Sequence, residues 1–295
     1  MTILQAILLG LLQGLTEFLP VSSTAHMAII PQLFGMRDPG ATFSAVVQLG
    51  PIVAIILYFR KDLARYIAGI LRTKSPSKIP ATDLDAKLGW FTLLGTIPLA
   101  IFGVLLEKKV DTVFRSLYVT AASLIVLALV LVYAEKIGKK NRGLDSMDLA
   151  DSQKIGWAQI LALVPGTSRS GVTITAGLFI GLTRESAARF SFLLSIPAIS
   201  AAGIYKLIKV LKVNHGLGGE AVPYILSAVI AGFVAFAVVN WFLKYMKEHS
   251  TQGFIIYRIA LGIALFGLLS AGVIKSKPPV TLDEKPAAAS TSQTP

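Results

Sequence analysis

Two apolar segments of this chain, residues 2–35 and 155–182, are each broken in the middle by proline, with polar residues crowded around the break: Pro20 in the first, Pro165-Gly166 in the second. Proline removes a backbone donor and ends a helix. In a hydrocarbon core, non-helical backbone survives only where it is buried in protein or lines a cavity. Each segment is therefore expected to fold as a re-entrant helical hairpin. Six other stretches, roughly 42–59, 88–106, 117–134, 187–205, 222–243 and 254–274, are long and apolar enough to cross a bilayer, which takes about 20 residues.

Composition agrees: 54% of the residues are hydrophobic and 15% charged, which fits an all-α polytopic membrane protein and no soluble class. Cysteine is absent, which excludes disulfides, thiolate nucleophiles and thiolate metal sites. The net charge of +12 does not point to nucleic acid, because the basic residues sit between the apolar spans. The N-terminus has no basic region and no small-residue cleavage signal, so it reads as mature chain rather than signal peptide.

A hairpin followed by three spans occurs twice. After the first hairpin comes Arg37-Asp38-Pro39-Gly40-Ala41-Thr42-Phe43-Ser44, and after the second Arg184-Glu185-Ser186-Ala187-Ala188-Arg189-Phe190-Ser191. Four of these eight positions are identical, which supports a duplication, with chance similarity between apolar sequences as the alternative. An odd number of spans per half requires the halves to be inverted. The expected organisation is a single integral-membrane domain over 1–275, with repeat one at about 1–135, repeat two at about 155–275, and a disordered polar tail over 276–295. Residues 73–87 and 138–154 read as hydrophilic cytoplasmic loops, and His215 and His249 as loop residues. The segments 60–87, 135–154, 184–189 and 244–258 carry 17 Lys/Arg against 10 on the opposite face. The richer face is cytoplasmic, so both termini are expected outside, with the two hairpins entering from opposite faces and meeting near the midplane.

The breaks carry the chemistry. In Gln13-Gly14-Leu15-Thr16-Glu17-Phe18-Leu19-Pro20-Val21-Ser22-Ser23-Thr24-Ala25-His26, Gln13 and Glu17 share a helix face and Gly10 and Gly14 form a small-residue stripe for a neighbouring helix. A second helix starts at Ser22 or Ser23, and its N-terminus is an anion site if it opens on a cavity. His26 lies on the same face as Ser23. In Val164-Pro165-Gly166-Thr167-Ser168-Arg169-Ser170-Gly171-Val172-Thr173, glycine, three hydroxyls and the planar fork of Arg169 form an anion cradle by composition. Purely structural readings stand beside these: a buried Glu17–Arg169 pair, Gln13 bonded to a neighbouring helix, serines as caps, and a satisfied core histidine. An intramembrane ionisable residue is a functional-site hypothesis by default.

QGLTEFLPVSSTAH and PGTSRSGVT resemble the two signature motifs of the bacterial undecaprenyl-diphosphate phosphatase (bacitracin-resistance) family, with the likeness running over about residues 1–275. The resemblance implies hydrolysis of undecaprenyl diphosphate to the monophosphate, recycling the lipid carrier of peptidoglycan synthesis. It also implies an outward-facing site in the bacterial cytoplasmic (inner) membrane and a divalent cation, Mg2+ or Ca2+. The partners it implies are a polyprenyl diphosphate substrate and membrane lipids, with no nucleic acid; a homodimer is compatible with it. The family's acidic motif falls on Gln13 and Glu17, its hydroxyl-histidine element on Ser22, Ser23, Thr24 and His26, and its arginine motif on Pro165 to Ser170 with Thr173. Gln13, the neutral option at its position, is the expected metal ligand beside Glu17 through its carbonyl but brings no charge, so a cation site resting on Glu17 and substrate oxygens is weaker. On this basis Glu17, Ser23, His26 and Arg169 are the expected catalytic residues, and Ser22, Thr24, Gly166, Thr167, Ser168, Ser170 and Thr173 the expected substrate contacts. Ser23 is the first choice of nucleophile, with His26 as its base or itself the nucleophile. A polyprenyl-phosphate flippase with the same inverted-repeat plan is the rival reading. The Ser-Gly-His motif of phosphatidic-acid-phosphatase-type enzymes is absent.

Overall fold

A computed structural model describes residues 1–36, 40–80, 82–106, 114, 116–214 and 221–276. Arg37-Asp38-Pro39, residues 107–113 and 115, His215 and the tail beyond Ser276 lie outside the described residues. The described chain is all-helical, without a strand. Its helices are α1 (Ile3–Thr16), α2 (Ser23–Leu33), α3 (Gly40–Val47), α4 (Leu49–Tyr58), α5 (Arg60–Thr73), α6 (Leu84–Leu105), α7 (Leu117–Ile137), α8 (Leu149–Gln159), α9 (Arg169–Phe179), α10 (Arg184–Asn214), α11 (Ala221–Glu248) and α12 (Gln252–Ser270).

Among the described residues five helices are long and apolar enough to cross a membrane: α6, α7, the Arg184–Tyr205 part of α10, α11 and α12. The expected span at 42–59 is interrupted. Pro51 has no N–H for the Val47 carbonyl, and the helix breaks at Gln48 between α3 and α4. It then turns through 76° into α5. Two thirds of the α10 span is buried, against 28–39% for the other four, so α10 is the central post and the others present apolar faces to lipid. Around it Phe18 packs edge-to-face on Phe192 at 5.3 Å, and Phe59, Phe190 and Phe242 are almost wholly buried.

The helix pairs at the two breaks are too short to span: 14 and 11 residues in α1 and α2, 11 and 11 in α8 and α9. At about 1.5 Å per residue none reaches across a ~30 Å core. Thr2 and Gln5 form a capping box that starts α1. Helix α1 then runs along the first half of α11, and glycine makes the approach feasible: a Cβ on Gly10 would sit 2.6 Å from the Ser227 carbonyl, and one on Gly14 2.7 Å from that of Ala231. Helix α2 ends with Gln32 Oε1 accepting from the Lys275 N–H, just beyond α12. The second pair begins and ends at another place. Asp148 caps α8 in a capping box, and after α9 the chain bonds back to the loop before α8 through Asn141 N–H and Arg142 N–H to the Gly181 carbonyl.

The 138–154 segment is therefore more structured than a plain hydrophilic loop. Arg142 donates to the carbonyls of Ser146 and Ile180 and to Asp151 at 2.6 Å, and α8 begins at Leu149, six residues before the expected start of the second hairpin. Likewise α5 and the Asp83-capped start of α6 occupy most of the 60–87 segment. The Ala86 N–H and the Arg72 guanidinium hold the Asp83 carboxyl below the ordinary aspartate range. Glu135 at the end of α7 takes a bidentate bond from Arg184 and accepts from Thr251 N–H and Oγ1, tying together the ends of α7, α10 and α12.

Candidate active site

Helix α1 ends before Pro20, at Thr16, and leaves the Glu17 carboxylate beside the break, 8% exposed. As its i, i+4 spacing requires, Gln13 reaches it: Gln13 Nε2 donates to Glu17 Oε2 at 2.9 Å. Ser23 Oγ donates to the same oxygen at 2.8 Å. From the other break, Arg169 Nη2 donates to Glu17 Oε1 at 3.0 Å. The two motifs, 152 residues apart in sequence, thus converge on one carboxylate. Arg169 keeps one nitrogen, Nη1, buried and without a partner among the described residues, and its guanidinium lies 6.0 Å from the Phe18 ring centre.

Both turns are built alike. Ser22 and Ser168 have left-handed backbones, φ 73° and 65°, and each hydroxyl accepts from the backbone N–H three residues on, Ala25 and Gly171. Each therefore caps a helix whose N-terminal N–H groups are otherwise free. A cavity of about 170 Å³ opens between the turns. Its polar lining comes from Glu17, Ser22, Ser23, Thr24, Ser168 and Arg169, with Gln48 at the α3–α4 break, and its apolar wall includes Leu99, Leu163 and Ile199.

The other expected site residues sit behind that surface. Gly166 and Thr167 are buried in the turn. Ser170 Oγ donates to the Leu19 carbonyl at 3.0 Å, linking one break to the other. Thr173 Oγ1 bonds the Arg169 carbonyl at 2.8 Å and Ser191 Oγ at 2.6 Å. Gln13 is buried against Glu17 and does not line the cavity. His26 and Ser23 are not brought together: Ser23 is engaged with Glu17, and both ring nitrogens of His26 are occupied. His26 Nδ1 lies 2.8 Å from the Ser22 carbonyl, which only accepts, so Nδ1 carries the proton. In the neutral ring Nε2 is then the acceptor for the Tyr257 hydroxyl at 2.5 Å.

Three residues of this neighbourhood are not among the sequence-derived candidates: Gln48, Tyr257 and Arg258. Arg258, counted above with the cytoplasmic loop 244–258, is instead inside α12 and fully buried. It donates from Nη2 to the carbonyls of Thr167 at 2.8 Å and Gly166 at 3.3 Å. Gln48 had a signal, a lone amide in an apolar span three residues before Pro51. Tyr257 and Arg258 had none, because their partners lie far off in sequence.

As to metal binding, the donors at the cavity are one carboxylate, the Gln48 amide and hydroxyls, with the Gln13 amide behind Glu17, and both Glu17 oxygens already accept hydrogen bonds. Among the described residues no group of three or more His, Asp or Glu is placed to hold an ion. Such a set fits a cation that takes most of its ligands from phosphate oxygens and water, as Mg2+ does with few carboxylates.

The sequence is 47% identical over 283 residues to an undecaprenyl-diphosphatase of Chloroherpeton thalassium, covering 94% of this chain and all of that one. It is 48% identical over 276 residues to an undecaprenyl-diphosphatase of Myxococcus xanthus (92% and 91% covered), and 44% identical over 278 to one of Renibacterium salmoninarum (92% and 97%). Residues 6–264, both breaks and every residue of the cavity included, match the bacitracin resistance protein BacA family, and the chain belongs to that family.

Proposed function

We propose that this multi-pass membrane protein is an enzyme that hydrolyses undecaprenyl diphosphate to undecaprenyl phosphate and inorganic phosphate, returning the lipid carrier to peptidoglycan synthesis and conferring bacitracin resistance. The observation that carries this reading is the Glu17 carboxylate bonded at once to Ser23 and Arg169 at the mouth of an intramembrane cavity. A flippase requires no hydroxyl held against a carboxylate, and the relatives are named for the phosphatase activity.

In this reading the diphosphate lies between the two capped helix starts, where free N–H groups and the positive helix ends favour anions. Ser23 Oγ attacks the terminal phosphorus: the Oγ–P bond forms, the bridging P–O bond breaks and undecaprenyl phosphate leaves. Glu17 Oε2, 2.8 Å away, takes the serine proton. Once Glu17 is protonated its hold on Arg169 weakens, and the guanidinium turns its charge to the phosphoryl oxygens, where transition-state charge accumulates. Glu17 gives that proton to the departing undecaprenyl phosphate and is a carboxylate again. Water then attacks the phosphoserine, passing its proton through Glu17 to Ser23 Oγ as the Oγ–P bond breaks, so that inorganic phosphate leaves and both residues are restored. The hydrogen bonds support Glu17 rather than His26 as the base, and His26 as the residue that fixes the Ser22 turn. Ser22, Thr24 and Ser168 line the phosphate site, while Gly166, Thr167, Ser170 and Thr173 hold its shape.

A divalent cation, Mg2+ or Ca2+, belongs to this reading. Glu17 would be its protein ligand at the cavity, with the Gln13 carbonyl available only if Gln13 turned from behind Glu17, and the cation would supply neutralisation of phosphate charge when bound with the substrate.

We read the fold as two inverted repeats forming one integral-membrane domain over about 1–275. Reciprocal packing supports this: α1 of the first half lies on α11 of the second, α8 of the second on α6 of the first, and the third spans α7 and α12 lie on each other. The ends of the α1–α2 hairpin lie beside the start of α11 and the end of α12, whereas the α8–α9 hairpin returns to the loop after α7, on the opposite and Lys/Arg-richer side. With that side cytoplasmic, the protein belongs to the bacterial inner membrane with its cavity opening outward.

The test is phosphate release by the purified protein from undecaprenyl diphosphate, with and without chelator, for wild type and Glu17→Ala. Turnover by wild type that is lost on substitution is expected; no release from wild type in the presence of Mg2+ or Ca2+ would refute the reading.

A further inference from the structure

A second arginine sits directly behind the phosphate site. Arg258 is 0% exposed, in the second turn of a membrane-spanning helix, and no carboxylate is paired with it among the described residues. Its Nη2 donates to the carbonyls of Thr167 (2.8 Å), Gly166 (3.3 Å) and, more weakly, Ser123 (3.5 Å), while Nε and Nη1 are buried without partners among the described residues. Nη1 faces the first turn of α9 so closely that a Cβ on Gly171 would lie 2.6 Å from it. An unpaired guanidinium at this depth is costly, and replacing it with an apolar residue would remove that cost.

The charges of the site explain what it is for. Arg169 is offset by Glu17, so the pair facing the cavity is neutral, yet the proposed substrate brings roughly two to three negative charges, which a divalent cation entering with it would offset only in part. Arg258 is the nearby cation with no counter-ion in the described protein. We propose that Arg258 is a positioning residue that supplies the unneutralised positive charge of the diphosphate site, acting through the turn it holds. Its grip on the Thr167 carbonyl points the Ser168 N–H the opposite way, since C=O and N–H are antiparallel across a trans peptide, and Ser168 lines the cavity. In a low-dielectric surround the charge acts over the thickness of one turn. The diphosphate thus becomes the counter-ion that Arg258 lacks.

This rests on the phosphatase reading, so the test reads binding apart from turnover. Inorganic pyrophosphate is titrated into purified wild type, Arg258→Gln and Arg258→Lys by calorimetry, and KM and kcat for undecaprenyl diphosphate are measured on the same preparations. With Arg258→Gln, the pyrophosphate Kd and the KM are expected to rise about tenfold or more, with a smaller change in kcat. Arg258→Lys keeps the charge and is expected to stay within about threefold of wild type in Kd. A Gln variant that binds pyrophosphate like wild type overturns the proposal, whatever its kcat. Should the Gln variant not fold, the Lys variant decides, because a folded Lys variant whose Kd rises tenfold would show that shape and not charge is what Arg258 supplies. Failure of the phosphatase reading is recognised separately, as wild type that binds pyrophosphate but releases no phosphate from the lipid.

Discussion

Ser22 and Ser168 stand at the same point of two different helical hairpins in the same left-handed backbone conformation, φ 73° and 65°, each capping the helix that follows it. A non-glycine residue there is strained by about 1–3 kcal/mol and persists only where its surroundings hold it. What holds Ser22 is His26 on its carbonyl; what holds Ser168 is the contact of its hydroxyl with Ser170, itself bonded to the Leu19 carbonyl of the other break. The strain at each turn is thus met by contacts on which the cavity depends.

Ser168→Ala keeps the Cβ in the unfavourable conformation and removes the acceptor for the Gly171 N–H. It is expected to destabilise the protein by about 1–2 kcal/mol. Ser168→Gly also loses the cap but relieves the strain, and is expected to cost less. Thermal unfolding in detergent orders the two variants; equal losses would mean that the backbone at Ser168 is not strained.

Arg169→Lys keeps a positive charge and loses the planar fork that serves Glu17 with one nitrogen and leaves Nη1 for phosphate. Phosphate release should fall by roughly 10²-fold or more, about 3 kcal/mol of transition-state stabilisation. Near-normal turnover would return Arg169 to the role of a structural partner for Glu17.

Features fixed by short-range spacing were legible in the sequence. Gln13 meets Glu17 because they are four apart on a helix, Gly10 and Gly14 admit α11 as a small-residue stripe should, and Ser22 caps because proline had already stopped the preceding helix. That the two breaks meet was expected from the inverted plan, in which the hairpins enter from opposite faces, and Arg169 does reach Glu17 across 152 positions. Features made by contacts between distant segments were not legible: Tyr257 meets His26 across 231 positions and Arg258 meets Thr167 across 91. Arg258 was also disguised by Lys244 and Lys247, since an arginine a few residues beyond a basic loop looks like part of it. The order of the 138–154 segment was hidden for the same reason, as the Arg142 contacts to Ile180 and Asp151 are tertiary.

The absence of cysteine makes the topology directly testable. Single cysteines introduced near residue 2 and near residue 276 are expected to react with an impermeant maleimide added to intact cells, and one at residue 146 only after the membrane is opened. A protected C-terminus would break the inverted arrangement, because it would require an even number of crossings in one half.

The last expectation separates the two candidate nucleophiles. Ser23 already gives its proton to Glu17 at 2.8 Å, and its hydroxyl faces the cavity, whereas the His26 ring is tied at both nitrogens and does not line it. Ser23→Ala should therefore abolish turnover while leaving pyrophosphate binding, since Arg169 and the two helix starts remain. His26→Ala removes the support of the Ser22 carbonyl rather than a reacting atom, and should keep a residual rate, reduced by roughly 10²-fold or less. Tyr257→Phe, which frees Nε2 but leaves the Nδ1 bond to Ser22, should be milder still. If His26 were the nucleophile the order would reverse: Ser23→Ala would be the mild change, Tyr257→Phe would raise the rate by uncapping Nε2, and the trapped phospho-enzyme would be acid-labile and base-stable. An acid-stable adduct that forms with wild type and Tyr257→Phe but not with Ser23→Ala is the outcome that the hydrogen bonds of Glu17 predict.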